Sequence, residues 1–176
     1  MQEGMDLGAI KAFAFDVDGV ATECKVFCDM EGNLLRAYDA KDGFAIRMAS
    51  MNGYPVAIIT GGRSESIRKR FITSGVDPDD VYLGSRIKTE QLNEFCEKYG
   101  ISPKEVLYVG DDVPDMEAMR AAGIGACPSD AVEEVKAIAD WVSPYPGGHC
   151  LRHFLETVMR FQGKWNFDEH LYKAKF

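Results

Sequence analysis

Short runs of apolar residues alternate along the chain with longer segments whose apolar positions recur every three or four residues. A short continuous run is typical of a buried strand, and the wider spacing is typical of a helix with one buried face. The runs predict strands at 10–15, 56–59, 81–83 and 106–109, with weaker candidates at 124–126 and 141–142. The spaced segments predict helices at 42–51, 64–74, 88–99, 114–122, 131–138 and 150–162.

The order of these elements predicts an α/β fold. Strands and helices that alternate through short loops form a parallel sheet that is covered on both faces. We therefore expect a Rossmann-like parallel sheet sandwiched by helices, in one domain over 1–176. One segment departs from the alternation of strands and helices. In it, two short apolar stretches flank the turn sequence Glu-Gly-Asn at 31–33, a pattern that predicts a small β-hairpin flap at about 24–40. An aromatic and charged tail follows at about 163–176.

Composition and charge narrow the classes of function. Hydrophobic residues make up 46% of the chain and charged residues 27%, which are the proportions of a globular protein and not of a disordered one. The formal net charge of −8 opposes binding to nucleic acid, because the phosphate backbone is itself anionic. The five cysteines have no metal-binding or disulfide spacing, which favours reduced thiols in the cytoplasm. We expect neither a signal peptide nor a membrane span, since no apolar run approaches about 20 residues.

Polar side chains follow four of the predicted strands. Each of them alone has an ordinary structural explanation, such as a turn or a helix cap. The carboxyl ends of parallel strands meet at one edge of a sheet, however, and ligands bind at that edge in folds of this class. Chance would not place so many candidate groups there, in this order: Asp16 and Asp18, then Thr60, then Lys88, then Asp111, Asp112 and Asp115.

Together these groups predict metal-assisted phosphoryl transfer. Several carboxylates around one point repel each other and require a cation, and oxygen ligands without His or Cys favour Mg²⁺. One carboxylate can attack phosphorus and form an aspartyl-phosphate, while a second serves as general acid and then as general base. Lys88 and the Thr60 hydroxyl can hold the phosphoryl oxygens, and Gly61 and Gly62 let backbone N–H groups approach them.

The motifs DVDGV, TGGR, Lys88 and GDDVPD resemble, in that order, the four motifs of the haloacid dehalogenase phosphatases. The resemblance implies that Asp16 is the nucleophile and Asp18 the acid/base. It also implies that Thr60 and Lys88 bind phosphate. The metal ligands would be Asp16, Asp111 and the backbone carbonyl of Asp18, with Asp112 and Asp115 in supporting positions around them.

The spacing of the motifs leaves no room for the cap domain that many members carry, because a hairpin and single helices already fill the gaps. A neighbouring subunit is then expected to cover the site and to exclude water. Capless size, the hairpin and the segment AKDGFAI resemble the tetrameric 3-deoxy-D-manno-octulosonate 8-phosphate phosphatases, which implies a homotetramer that acts in lipopolysaccharide biosynthesis. A 2-keto sugar acid needs cationic contacts, for which the candidates are Lys41, Arg63 and Arg86, together with the glycines Gly61 and Gly62.

Three other interpretations stay open. Lys41 stands where the subgroup often has arginine, and two glycines precede Arg63 where it often has one, so a nonulosonate 9-phosphate is an alternative substrate. A receiver-type phospho-acceptor module uses similar groups, but it places the acceptor aspartate in mid-chain, where this chain has Thr60. A non-catalytic partner domain would be free to lose the motif residues that this chain retains.

Overall fold

The computed structural model describes residues 5–166 and has a six-stranded parallel sheet as its central layer. Its strands are β1 (Ala12–Phe15), β4 (Val56–Ile59), β5 (Val81–Tyr82), β6 (Val106–Val109), β7 (Ile124–Cys127) and β8 (Trp141–Val142). Their order in the sheet is β5-β4-β1-β6-β7-β8, so β1 lies in the middle. The predicted α/β class and parallel sheet are therefore confirmed.

Helices cover both faces of the sheet and bury alternate residues of each strand. Phe13 and Phe15 of β1 point into the core under one helix layer, whereas Ala12 and Ala14 point into the core under the other. The first layer contains α1 (Ala40–Met51), α2 (Glu65–Ile72) and α6 (Leu151–Phe161). The second contains α3 (Lys88–Tyr99), α4 (Met116–Ala121) and α5 (Glu133–Lys136). No helix within residues 5–166 has the length and apolar character that crossing a membrane requires.

Three predicted helices are at least three residues shorter than their sequence patterns indicate, and the first of them is α2, predicted at 64–74. The helix expected at 114–122 begins as a single 3-10 turn, Val113–Asp115, before α4 starts at Met116. The helix expected at 131–138 is reduced to α5, because the chain must return quickly to the sheet at Trp141. The predicted tail at 163–176 lies outside the described residues beyond residue 166.

The hairpin flap forms a separate two-stranded sheet, in which β2 (Phe27–Cys28) pairs antiparallel with β3 (Leu34–Leu35). At its turn, the Asp29 carboxylate accepts hydrogen bonds from the backbone of Glu31 and Asn33, and the intervening Gly32 has φ +84°. Several apolar side chains of the hairpin are exposed, namely Val26, Phe27, Met30, Leu34 and Leu35. An exposed apolar surface of this kind is typical of a contact with another protein surface.

Asp42 joins helix α1 to helix α6. The residue is 3% exposed, and its carboxylate accepts hydrogen bonds from the backbone N–H groups of Leu151 (3.3 Å) and Arg152 (2.8 Å). These N–H groups belong to the first turn of α6, where no residue of α6 itself can accept them. Asp42 therefore caps a helix more than a hundred residues further along the chain.

The substitution Asp42→Ala should lower the free energy of unfolding by about 1–3 kcal/mol, because it leaves two buried N–H groups without acceptors. Asp42→Asn retains one acceptor oxygen and should lose less. Chemical denaturation of the purified variants measures both values. Equal stability of Asp42→Ala and the parent chain would show that the contact does not hold α6.

Candidate active site

The carboxyl ends of β1, β4, β5 and β6 surround a cleft that contains most of the predicted site residues. Asp16 follows β1 directly, Thr60 follows β4, and Asp111 lies two residues beyond β6. Cys24, Ser85 and Pro114 also border the cleft, and no sequence pattern indicated them. The predicted residues along it are Asp16, Asp18, Thr60, Gly61, Gly62, Arg86, Lys88, Asp111, Asp112 and Asp115.

Lys88 is the buried cation of the cleft. It is the first residue of α3, and its ammonium nitrogen lies 3.0 Å from Asp16 Oδ2 and 2.7 Å from Asp115 Oδ1. Burial alone would lower the pKa of Lys88, but the two carboxylates outweigh burial and raise it. Lys88 is therefore a fixed positive charge beside the expected nucleophile.

Asp115 is the most buried carboxylate of the cleft, and its oxygens are already engaged. Oδ1 accepts hydrogen bonds from Lys88 and from the Tyr108 hydroxyl (2.8 Å), while Oδ2 accepts the backbone N–H of Asp111 at 3.3 Å. The exposed Asp112 accepts the N–H of Val113 and caps the turn that carries Asp115. Both arrangements fit the supporting positions that the sequence predicts for these residues.

The loop after β4 presents small groups to the cleft. The Thr60 side chain is buried, and its hydroxyl oxygen accepts the N–H of Gly62 at 3.1 Å, so that the hydroxyl proton remains available to a ligand. Ser64 caps the start of α2 just beyond this loop. Thr60 and its neighbouring glycines can therefore border an anion at the edge of the sheet.

Asp18 has a partner that the sequence did not reveal. Arg36, the residue after β3, donates from Nε to Asp18 Oδ1 (2.6 Å) and from Nη2 to Asp18 Oδ2 (2.8 Å). In the sequence, Arg36 is recognisable only as a cation beside an apolar hairpin strand. Its partner is 18 residues away and cannot be inferred without the path of the loop.

Of the three cations predicted to contact substrate, the structure places one on the cleft. Arg86 borders it, whereas the Arg63 side chain packs beside Gly84. Lys41 lines a different cavity, between α1 and α6, together with His149 and Arg152. Within one chain, Lys41 is therefore separated from the residues that the sequence predicts to bind phosphate.

Residues 38–123 match the haloacid dehalogenase-like hydrolase family. The chain is 32% identical over 156 residues to the 3-deoxy-D-manno-octulosonate 8-phosphate phosphatase of Escherichia coli K12, an alignment that covers 88% of this chain and 82% of that protein. The chain belongs to the haloacid dehalogenase family. It is a phosphatase, as the activity of its relatives and the intact set of motifs indicate.

Solved structures agree with this assignment. The phosphatase superposes on the 3-deoxy-D-manno-octulosonate 8-phosphate phosphatase of Moraxella catarrhalis with a TM-score of 0.86 and 30% identity, over 96% of this chain and 95% of the other. That structure contains a magnesium ion, a phosphate ion and a KDO molecule. The corresponding enzyme of Yersinia pestis also gives a TM-score of 0.86, at 28% identity, over 90% of this chain and 85% of that one.

The carboxylates of the phosphatase form a group that fits a divalent cation. One oxygen each of Asp16, Asp111 and Asp115 lies within 4.8 Å of the others. Oδ1 of Asp16 and Oδ1 of Asp111 are both buried and have no hydrogen-bond partner, whereas the oxygens of Asp115 are taken. Buried carboxylate oxygens without partners, on two residues of one such group, suit a hard cation such as Mg²⁺. Asp16 and Asp111 are therefore better placed to bind a metal than Asp115.

Without a cation, this group is electrostatically strained. Burial, and then the Asp115 carboxylate, raises the pKa of Asp16 to about 6. Burial, and then the Asp16 carboxylate, raises the pKa of Asp111 to about 8. Asp111 also packs closely against Gly19, where an added Cβ would overlap the Asp111 carboxylate. The fold thus holds acidic groups in positions where their charge is opposed until a cation binds.

We expect Asp111→Asn to stabilise the metal-free phosphatase at pH 8 by several kcal/mol, up to about 5 kcal/mol. The carboxyl group of Asp111 ionises in the unfolded chain near pH 4 but in the folded chain only near pH 8, so it lowers stability as the pH rises between these values. The difference between variant and parent should therefore shrink towards pH 5. Urea denaturation at several pH values, in chelator, measures it.

Added Mg²⁺ should stabilise the parent chain and have much less effect on Asp111→Asn, because the variant has lost a charged ligand. Asp112→Asn is the matched control, since it removes an exposed carboxylate from the same loop. A parent chain that Mg²⁺ does not stabilise at pH 8 would rule out the cation site assigned to this group.

Proposed function

We propose that the phosphatase hydrolyses 3-deoxy-D-manno-octulosonate 8-phosphate to the free sugar acid and phosphate, with Mg²⁺ as cofactor. The observation that carries this proposal is the gathering of Asp16, Lys88 and Asp111 beside Thr60 in one cleft. The choice of substrate is supported by the relative of known activity and by the neighbour solved with KDO. A place in lipopolysaccharide biosynthesis, in the cytoplasm, would follow from that substrate.

In the first half of the reaction, Asp16 attacks phosphorus. Lys88 lies 3.0 Å from Oδ2 of Asp16 and thereby orients the carboxylate. The bond between one Asp16 oxygen and phosphorus forms as the bond from phosphorus to the sugar oxygen breaks, while the other oxygen would be left for the cation. Asp18 gives its proton to that leaving oxygen. Asp16, Asp111 and the Asp18 carbonyl would hold Mg²⁺, whose positive charge would offset the repulsion between the carboxylate and the phosphate.

In the second half, water attacks the phosphorus of the aspartyl-phosphate. Asp18 accepts the proton of the water, and the bond from Asp16 to phosphorus breaks, which restores both carboxyl groups to their first state. In both halves, the charge on the phosphoryl oxygens is stabilised by Lys88, by the Thr60 hydroxyl and by the N–H groups of the loop at Gly61 and Gly62.

Recognition of the sugar acid falls to cations at the edge of the cleft. Arg86 is the candidate within the same chain for the substrate carboxylate, because it borders the cleft. Lys41 lines a different cavity, so it would act on the cleft of a neighbouring subunit, whereas Arg63 directly follows Gly62 and packs beside Gly84. A nine-carbon keto-deoxy sugar acid phosphate remains the second candidate substrate, because the phosphate chemistry would be the same.

We further propose that the enzyme is a single-domain homotetramer in which a neighbouring subunit covers the cleft. Only the hairpin, α1 and β4 lie between Asp18 and Thr60, and α2 and β5 separate Thr60 from Lys88, so the described chain has no cap there. The exposed apolar side chains of the hairpin would be buried by such a neighbour.

A panel of sugar phosphates tests the substrate. The purified enzyme, assayed for phosphate release with Mg²⁺, should give its highest kcat/KM on the eight-carbon keto-deoxy sugar acid phosphate. The nine-carbon acids and the common hexose phosphates should be poorer, because the former differ in length and the latter lack the carboxylate. Asp16→Asn is the control for contaminating phosphatase and should reduce turnover by at least about a thousandfold. Highest activity on hexose phosphates would contradict the proposed substrate and leave the reaction class intact.

The double substitution Leu34→Ser and Leu35→Ser should dissociate the tetramer and lower kcat/KM, because it removes apolar contact area from the hairpin. Light scattering after size-exclusion chromatography gives the mass of the particle. The matched control is Phe161→Ser, which changes an exposed apolar residue outside the hairpin, on α6, and should leave the mass unchanged. A parent enzyme that is monomeric and fully active would contradict the proposed assembly.

A further inference from the structure

The closest contact of Asp18 comes from the hairpin and not from the sheet. Arg36 donates two parallel hydrogen bonds, one to each oxygen of the Asp18 carboxylate. The Arg36 side chain is only 4% exposed, whereas that of Asp18 is 30% exposed and borders the cleft. Two parallel bonds from a planar guanidinium fix the plane of a carboxylate, which a single hydrogen bond does not. Arg36 therefore determines how Asp18 faces the cleft.

The surroundings of Arg36 are fitted to this contact. A Cβ on Gly62 would lie 3.3 Å from Arg36 Nη2, so the absence of a side chain at Gly62 leaves room for the guanidinium. The third nitrogen, Nη1, is buried and has no hydrogen-bond partner. A buried, unpaired donor costs free energy, so stability alone is a poor explanation for an arginine at this position.

We propose that Arg36 is a positioning residue for proton transfer to the leaving group, and that the hairpin thereby sets the orientation of the acid/base. This inference rests on the proposed function, in which Asp18 is the acid/base. Protonation of one Asp18 oxygen weakens one of the two hydrogen bonds, and the bond to the other oxygen still holds the carboxyl plane. The proton on the first oxygen then faces the oxygen of the departing alcohol.

Substrates with different leaving groups should depend on Arg36 to different degrees. When the bond from phosphorus to an alkyl oxygen breaks, the leaving alkoxide is strongly basic and must receive the proton of Asp18. A p-nitrophenolate is a weak base and leaves without a proton. Loss of Arg36 should therefore impair the formation of the aspartyl-phosphate from an alkyl phosphate much more than from p-nitrophenyl phosphate. An arginine that only anchored the hairpin would affect the two substrates equally.

The experiment compares p-nitrobenzyl phosphate with p-nitrophenyl phosphate, which have similar size but different leaving groups. The value of kcat/KM reports only steps up to departure of the alcohol or phenol, so it isolates the first half of the reaction. We expect Arg36→Gln to lower kcat/KM by roughly 10- to 100-fold on the benzyl ester and by less than about 3-fold on the phenyl ester. Arg36→Lys keeps the charge but not the two-pronged geometry, and it should fall between Arg36→Gln and the parent.

A second readout follows the other half of the reaction. Because Asp18 also takes the proton from water, Arg36→Gln should hydrolyse its aspartyl-phosphate slowly. Rapid mixing with p-nitrophenyl phosphate should then release a burst of p-nitrophenolate close to one equivalent per site, followed by a slow steady state. Arg160→Gln, which breaks an exposed ion pair with Glu156 on α6, is the matched control and should behave as the parent enzyme.

Asp18→Asn separates this inference from the proposed function. If Asp18→Asn lowers kcat/KM equally on both esters, the acid/base role of Asp18 is wrong. If Asp18→Asn discriminates between the esters and Arg36→Gln does not, only the role of Arg36 is overturned. An increase in activity of Arg36→Gln on the benzyl ester would also overturn it. Should Arg36→Gln fail to fold, Arg36→Lys provides the same comparison, and equal losses on both esters would then reject the proposal.

Discussion

The repulsion among buried carboxylates at the carboxyl ends of β1 and β6 is the constraint on which the rest of the site depends. One oxygen each of Asp16, Asp111 and Asp115 lies within 4.8 Å of the others, and Lys88 supplies the positive charge that contacts two of these carboxylates. The raised pKa values of Asp16 and Asp111 follow from this imbalance. A structure selected for stability alone would not hold these groups together, because isolated buried charges are costly. The arrangement becomes favourable once a cation and a phosphate complete it.

The parallel sheet makes this concentration of charge possible. Because β1 lies between β4 and β6, the first residues after all three strands project from neighbouring positions at one edge. Backbone hydrogen bonds hold them there: the N–H of Asp16 donates to Val109 of β6, and the N–H of Thr60 donates to Tyr82 of β5. The apolar layers on both faces fix the strands, so the carboxylates cannot separate to relieve their repulsion. The core and the site are therefore two consequences of the same strand order.

This dependence explains which parts of the site could be predicted from the sequence. Asp16 and Lys88 could be found because their positions relative to a strand and a helix are local features, and the parallel sheet then brings them together. Arg36 and Asp42 could not, because each acts on a group that only the folded chain brings near: Asp18 across the hairpin, and the first turn of α6 across 109 residues. The shortening of α5 has a similar cause, since the return to β8 overrides the helical pattern of its sequence. Local pattern predicts strand ends well and long-range hydrogen-bond partners poorly.

The hairpin would contribute both to covering the cleft, in place of a cap, and to the acid/base chemistry. Its outer side exposes Phe27 and Leu35, while the next residue, Arg36, turns inward to Asp18. A short two-stranded sheet has little stability of its own, so its position depends on what it contacts on each side. A neighbour packed on the outer side would restrain the hairpin and, through Arg36, the orientation of the carboxyl group. In a phosphatase without a cap, one side chain would then link subunit assembly to proton transfer. The neighbouring subunit that covers the cleft would also fix the orientation of the acid/base.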